Sequence, residues 1–590
     1  MQTKIILLAT TLSLAASIGY PGLAAQAQVP PSSAGQSAAL IGAEQDQRVR
    51  QQQEARERAQ AIDAPSVRAP EIAPADFPAL PTETPCFRID RFSLEVPADL
   101  LEAVRVHGAS DLPLDPFAFA RAWLDHYQDA CVGKDGVNLL AKGISQVILS
   151  RGYVTSRVLL PEQDLSTGTL RLALVPGVIG QLRFAEPDLW GTWRSAFPAR
   201  PGDLLNLRDL EQGLEQMKRV TSQDVDMQIV PTSAPGQSDV VIAVKRAKPW
   251  TVVASMDNSG TRATGKLQGN LSLGIDNPLG LNDLFNLGYV QDLGFGDRQH
   301  GTHGWNGFYS VPWGYWTATL SAYSNTYYQH IAGVNQTFVS SGNSQTVDAK
   351  LHRVLRRSQN DVFGVQFRLS RRFGQSFIED TEIVQQRRNN TIVEVGITDR
   401  HYFGAAQLDA SLMVRQGVGG LGAQADTLAA EGGPTWRYRM AVLDANLSVP
   451  FKLAEQPLRY VTTLHGQFTN DRLYYLDALT IGSRYTVRGF DGESLLAGDK
   501  GLFWRNELQA PLGASGQSVY AGIDYGRVYG PLTQGLVGTQ LAGAVIGWRG
   551  LLGSALGRVS YDLFLGTPVY KPSAFHTAGV TGGFQMVYQY

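Results

Sequence analysis

Lys266-Leu267-Gln268-Gly269-Asn270-Leu271-Ser272-Leu273-Gly274-Ile275-Asp276 is the stretch from which the fold is read. Successive side chains of an extended chain point to opposite faces. Leu267, Leu271, Leu273 and Ile275 therefore share one face, and Lys266, Gln268, Asn270, Ser272 and Asp276 share the other. The segment is a strand with one oily and one wet side. The same period sets Leu443, Ala445, Leu447 and Val449 against Asp444, Asn446 and Ser448, and at the end of the chain Phe584, Met586, Tyr588 and Tyr590 against Gln585 and Gln589. A soluble β-sandwich alternates in the same way. Trp313-Gly314-Tyr315-Trp316 and Tyr327-Tyr328 favour a membrane barrel, because aromatic residues gather at the lipid–water boundary.

From Trp250 to Tyr590 about 16 such segments fit, each near the ~10 residues that a tilted strand needs to cross the hydrocarbon. An even count allows the last strand to close on the first. Closure matters because an open edge in lipid leaves N–H and C=O groups unpaired. Composition agrees: the 590 residues include 62 Gly, 23 Phe, 22 Tyr and 10 Trp, as short strands with tight turns require. The net charge of −2 argues against nucleic acid as a partner.

The N-terminus reads as an export signal. Met1 to Lys4 is basic, Ile5 to Ile18 is apolar but too short to span a bilayer, and Ala25-Gln26-Ala27 is a small-x-small cleavage site. Residues 1–27 are then the signal peptide and the mature chain begins near Gln28. Within 28–62, Ala43 to Ile62 is built of helix formers with the i,i+4 pairs Glu44/Arg48, Asp46/Arg50 and Glu54/Arg58. That helix has no oily face, so it is solvated, disordered or held in an aqueous channel, and within a barrel it is expected to plug the lumen as a removable helix. Its length, about 30 Å at ~1.5 Å per residue, matches a bilayer. Residues 63–85 carry Pro65, Pro70, Pro74, Pro78, Pro81 and Pro85 and read as an extended linker.

Residues 86–176 and 177–248 read as two small α/β modules of order strand, helix, helix, strand, strand. The first has strands at Phe87–Val96, Val154–Leu160 and Thr169–Val175 and helices at Asp115–Gln128 and Gly136–Ser150. The second has strands at Val178–Phe184, Val225–Pro231 and Asp239–Lys245 and helices at Pro187–Phe197 and Asn206–Val220. Cys86 and Cys131, the only cysteines, lie in the first module. In an exported chain they are expected to form a disulfide, with a pair of buried thiols as the alternative.

Catalytic signals fall away on inspection. Gly417-Val418-Gly419-Gly420-Leu421-Gly422 matches a dinucleotide loop by letter but has no βαβ unit around it. His300 and His303 have metal-like spacing, yet they fall in a Gly-rich loop without a third ligand. No catalytic site, metal or cofactor is expected.

The order of signal, polar helix, proline linker, two modules and barrel resembles the TpsB family of outer-membrane transporters of two-partner secretion, particularly its haemolysin secretion/activation branch. The residues that carry the resemblance are Gly152-Tyr153-Val154-Thr155-Ser156-Arg157-Val158 with Pro161-Glu162-Gln163-Asp164-Leu165, Asp257-Asn258-Ser259-Gly260, Asp276-Asn277-Pro278-Leu279-Gly280-Leu281-Asn282-Asp283, Tyr309-Ser310-Val311-Pro312-Trp313-Gly314-Tyr315-Trp316, and Val487-Arg488-Gly489-Phe490. One departure is Gln585, where the barrel-insertion signal of such proteins usually has glycine. The resemblance implies two polypeptide-transport-associated (POTRA) modules, at 86–176 and 177–248, before a 16-stranded barrel at 249–590. It further implies that the POTRA modules capture an unfolded, exported TpsA-type partner in the periplasm and thread it through the barrel to the cell surface. Lipid of the outer membrane and the barrel-assembly machinery are the other implied partners.

A barrel-assembly insertase shares the plan but usually has more POTRA units, and a diffusion porin has none. Strand addition to a POTRA edge is the natural capture mode, since main-chain hydrogen bonds ask little of sequence. The segment Tyr153, Val154, Thr155, Ser156, Arg157, Val158, Leu159 and Leu160 is the expected edge. The resemblance also implies that the Arg488 loop, within 481–499, folds back into the barrel and meets an acid on the inner wall. In Ser518 to Gly526, alternation sends Val519, Ala521, Ile523 and Tyr525 toward lipid, which leaves Asp524 facing the lumen between Gly522 and Gly526. Asp491 or Glu493 are the local alternatives as partners of Arg488.

Overall fold

The computed structural model describes residue 44 and residues 47–590, apart from 49, 55, 59–64, 69–75, 109–114, 295–298, 333–335 and 555. The signal segment lies outside the described residues. From Trp250 onward, sixteen antiparallel strands close into a barrel, from Trp250–Asp257 to Thr581–Gln589, with one two-residue stub, Thr381–Glu382, beside the seventh strand. The last strand pairs with the first from Gln585↔Asp257 to Gln589↔Val253, so no edge is left. Strand length is uneven. The first strands have 8 or 9 residues and Thr337–Arg357 has 21, so the middle of the sheet rises well beyond a bilayer on the side away from the modules.

Alternation sorts the barrel's two faces. Leu271 and Leu273 are exposed on the outside, while Val442 and Asp444 face inward. Tyr327 and Tyr328 do not both sit at the lipid boundary: consecutive strand residues point oppositely, and Tyr327 is buried within the barrel against Gly342. His300 and His303 open the fourth strand, His300–Trp313, rather than lying in a loop. Three residues apart on a strand, they point to opposite faces.

In the first module, the stretch read as one strand is two. Phe87–Ile89 pairs with Ala130–Val132, and Arg91–Glu95 runs parallel to Thr169–Val175. The helices Ala118–Asp125 and Lys134–Ser150 cover this sheet, burying Phe117, Trp123, Leu140 and Ile144. Cys86 and Cys131 are bonded, with Cα atoms 5.5 Å apart. The proline-rich linker is only partly a spacer: Phe77 packs on His126 and Trp123, and both carboxylate oxygens of Glu83 accept from the N-terminal N–H groups of Asp135 and Gly136.

The second module keeps the strands Val178–Phe184, Gln223–Pro231 and Gln237–Arg246 and the helix Leu207–Lys218. Pro187–Phe197 contains no helix. Its backbone is used elsewhere: Thr192 N–H donates to Gly280 O (2.8 Å) and Asn282 Nδ2 donates to Thr192 O (2.7 Å), tying the segment to the turn between the second and third barrel strands. Helix Leu207–Lys218 is pressed against the same rim. Gln212 and Gln216 donate to Gly314 O, Tyr315 donates to Asp209, and Arg357 of the rim pairs with Glu215 at 2.7 Å. Burial raises the Asp209 carboxyl above its usual range, and the Tyr315 hydroxyl bond opposes that rise.

Opening the disulfide frees a loop of 45 residues. In the chain-entropy account this costs the first module up to about 4 kcal/mol. Cys86→Ser is expected to lower the urea midpoint of that module, followed by Trp123 fluorescence, while the barrel's heat-modifiable migration in gels stays intact. An unchanged midpoint would show that the bond contributes little.

Candidate functional site

The barrel lumen is not empty. After the eleventh strand, Gln456–Thr469, the chain forms a small hairpin, Leu479–Ile481 with Leu496–Gly498, and the loop between them enters the barrel. Val487 and Phe490 pack there with Ile481, Phe503, Leu541 and Phe575 in a buried apolar cluster. Arg488 stands at the loop's tip. Its Nε donates to Asp524 Oδ2 at 2.7 Å and its Nη2 to Asp524 Oδ1 at 2.9 Å, a two-point pair reinforced by its own backbone N–H on Oδ2 at 3.0 Å. Nη1 donates to Glu507 Oε2 at 2.6 Å. Asp524 is fully buried and Arg488 is 5 % exposed.

Asp491 and Glu493 are occupied elsewhere. Asp491 accepts from Ala578 N–H at 2.8 Å, and Glu493 accepts from Lys266 at 3.0 Å. Glu507 is the partner that sequence reasoning missed. The signal was present: in Lys500–Pro511, Trp504 and Leu508 face outward, which leaves Phe503, Arg505 and Glu507 inside.

Glycines make the seat for the loop. A Cβ on Gly543 would lie 1.8 Å from Arg488 O, and one on Gly566 would lie 2.9 Å from Gly489 Cα. Gly522 and Gly526 meet the Arg488 guanidinium and the Val487 side chain in the same way. Gly489 itself has φ +100°, where a side chain is strained, and its own Cβ would strike Thr567 O. Four wall glycines on three adjacent strands thus form a shallow groove for one turn of backbone.

A second body shares the lumen. The described residues between 44 and 58 are helical and run along the barrel axis. At the far end, Gln47 Nε2 donates to Ala478 O (2.6 Å) and Arg50 pairs with Asp477 (3.0 Å). Gln51 accepts from Ser483 Oγ (3.1 Å) and donates to Thr480, so the helix touches the loop's own base. Toward the modules, Glu54 approaches Arg415 at 3.8 Å, Glu57 pairs with Arg368, and Arg58 pairs with Asp444 at 3.4 Å. The linker then leaves past the rim, where Arg357 Nη2 donates to Val67 O at 2.8 Å and the Arg68 guanidinium lies 3.8 Å over the Tyr402 ring.

The expected edge in the first module is only partly a strand. Tyr153 to Ser156 form a turn, and Tyr153 stacks inward on Phe117 and Phe119, with burial pushing its hydroxyl up. Arg157–Leu159 is the strand, and it is the outermost of its sheet, bonded on one side to Thr169–Val175. Leu159 and Leu160 are exposed beside it. Gly417 and Val418 end the ninth strand, and Gly419 to Gly422 form a loop. Among the described residues no group of three His, Cys, Asp or Glu side chains is placed to hold a metal.

Comparison with known proteins agrees with this arrangement. The model of the family described as haemolysin secretion/activation protein ShlB/FhaC/HecB matches residues 236–550, a ShlB-type POTRA domain matches 100–177, and a POTRA domain matches 178–231. The outer membrane transporter CdiB-2 of Burkholderia pseudomallei (strain 1026b) is 63 % identical over 569 residues, covering 96 % of this chain and 97 % of that protein. The chain belongs to the haemolysin secretion/activation family. It is an outer-membrane transporter of two-partner secretion, with its POTRA modules in the periplasm and a cognate secreted protein as partner. The outer membrane transporter CdiB of Dickeya dadantii (strain 3937) is 30 % identical over 78 % of this chain and 81 % of its own length. Among solved structures, CdiB from Acinetobacter baumannii superposes with a TM-score of 0.80 at 27 % identity, over 96 % of this chain and all of that one.

Within this family member the groove makes a sharp prediction. Gly543→Val places a side chain where Arg488 O now lies and is expected to unseat the loop and abolish most cargo export, while Gly553→Val on the same strand, with open space around it, is silent. Export by Gly543→Val at the normal level would show that the loop needs no such close approach. Arg488→Ala and Asp524→Ala each strand a buried charge, which costs about 3–5 kcal/mol. Each is expected to abolish most export without blocking barrel insertion, and the double variant is expected to be no worse than either. Multiplying defects would contradict a shared pair.

Proposed function

We propose that the helix at 44–58 is a removable plug, that the Arg488 loop is the fixed inner brace of the pore, and that the outermost strand of the first POTRA module is where the exported partner is first held. The observation that carries this reading is a difference in how the two lumen bodies are bound. The loop has a buried apolar cluster and a fully buried ion pair. The described residues of the helix are bound by hydrogen bonds and ion pairs, with one cation–π contact of Arg58 on Phe503, and these polar contacts are to groups that water or a passing polypeptide can also satisfy. Such contacts exchange at little net free energy.

The capture step follows from strand geometry. Arg157–Leu159 offers one free backbone edge, and the exposed Leu159 and Leu160 flank it, which fits an extended, unfolded chain. The transporter performs no bond chemistry in this reading. Folding of the partner outside the cell draws the chain through. Lipid of the outer membrane surrounds the barrel, and the barrel-assembly machinery inserts it.

Deleting residues 28–62 is expected to raise single-channel conductance several-fold in planar bilayers and to leave the barrel heat-modifiable; unchanged conductance returns the helix to a non-occluding role. Leu159→Asp with Leu160→Asp is expected to weaken binding of the partner's N-terminal segment to the full-length transporter in detergent by on the order of tenfold, about 1.4 kcal/mol. Equal affinity would place capture elsewhere.

A further inference from the structure

Trp190 is among the most exposed large side chains of the molecule, at 64 %, and it sits in the second POTRA module. Its neighbourhood is rigid. Gly191 and Gly280 both have left-handed backbones, φ +95° and +74°, and a Cβ on either would strike the other's main chain at 2.9–3.0 Å. Thr192, Ser195 and Asn282 close hydrogen bonds across the same junction. The indole is therefore held at the level of the barrel's first periplasmic turn, beside Leu279, which is 62 % exposed.

That turn continues the lipid-facing surface. Register places Trp250, Ile275 and Phe285 side by side on three adjacent strands, immediately above it. Two cations flank the patch. Arg246 donates to Trp190 O, and Lys248 Nζ lies 3.9 Å over the Trp250 ring and 3.7 Å over the Tyr590 ring. An indole and a leucine at the end of an apolar belt, with Lys and Arg beside them, form the amphipathic set that partitions to a membrane interface. Among the described residues Arg246 donates to Trp190 O and Lys248 lies over two rings, fewer contacts than the five and three N–H donors that Arg and Lys carry.

We propose that Trp190 and Leu279, with Arg246 and Lys248, anchor the second POTRA module in the headgroup region of the inner leaflet, with the cations on lipid phosphate. The module is then fixed to the membrane as well as to the barrel rim, and the capture strand of the first module hangs from a base that cannot tilt freely under the pore.

Both native cysteines are bonded, so an introduced thiol is unique in the described chain. Full-length Leu279→Cys and Trp190→Cys, labelled with a polarity-sensitive fluorophore, are reconstituted in phosphatidylcholine–phosphatidylglycerol liposomes with or without brominated acyl chains. Val537→Cys, exposed in a loop on the opposite side, is the aqueous reference. Both patch labels are expected to lose emission to brominated lipid at least about twofold more than the reference, as an interfacial site should. Adding Trp190→Ala to the Leu279 label is expected to weaken that quenching, and Trp190→Phe to retain it. Adding Lys248→Gln is expected to remove the dependence on phosphatidylglycerol. Patch labels quenched no more than the reference overturn the proposal. So does a label that ignores lipid and responds only to added partner segment, which would make the patch a protein contact. Gel heat-modifiability confirms that each variant is folded before it is read.

Discussion

A guanidinium buried inside the barrel lumen sets the constraint on which the rest of the lumen depends. Arg488 gives up nearly all its water and is repaid by three hydrogen bonds from the loop to Asp524 and one to Glu507. Breaking such a pair leaves an uncompensated charge in a place that cannot relax around it. The geometry tolerates little error, because the loop reaches the wall only where Gly522, Gly526, Gly543 and Gly566 remove every side chain from its path. Arg549, two strands along the wall, pairs with Glu507 at 2.8 Å, so the acid is held by the wall as well as by the loop.

The seated loop creates the surface that receives the helix. Gln51 meets Thr480 and Ser483 at the base of the same hairpin, and Arg50 meets Asp477 just before it. One end of the helix is thus read by the loop and the other by wall residues such as Arg368 and Asp444. A helix whose described side chains are all polar can be held this way and also released this way, since little apolar contact is given up when it leaves. The rim has the opposite character: Arg357, buried at 2 % exposure, binds Glu215 and the linker carbonyl of Val67 together. The exit of the linker is fixed even though the helix beyond it is held by exchangeable bonds.

Much of this was legible in the chain. Period-two alternation separates lipid-facing from lumen-facing positions, and it singled out Asp524 because Val519 and Ile523 must face lipid. The same rule applied to Trp504 and Leu508 would have given Glu507. Gly543 and Gly566 were not legible: their role depends on which strands are neighbours in space, and a glycine in a strand reads the same whether or not a loop lies against it. The missing helix at Pro187–Phe197 has a like cause. Its backbone groups are claimed by the barrel turn at Gly280 and Asn282, a tertiary contact that no local propensity records. The Pro-rich linker misled in the other direction, since Phe77 and Glu83 dock on the first module and shorten the free tether.

The central claim is that the loop stays and the helix moves. It is tested most directly by joining the two through Gln51→Cys and Ser483→Cys with a reducible thiol cross-linker and following cargo export in cells. The account predicts that export stops when the link is made and resumes when it is reduced, with the Arg488 loop equally protected from protease throughout. Export that continues at the normal rate while the helix remains linked to the loop would contradict it.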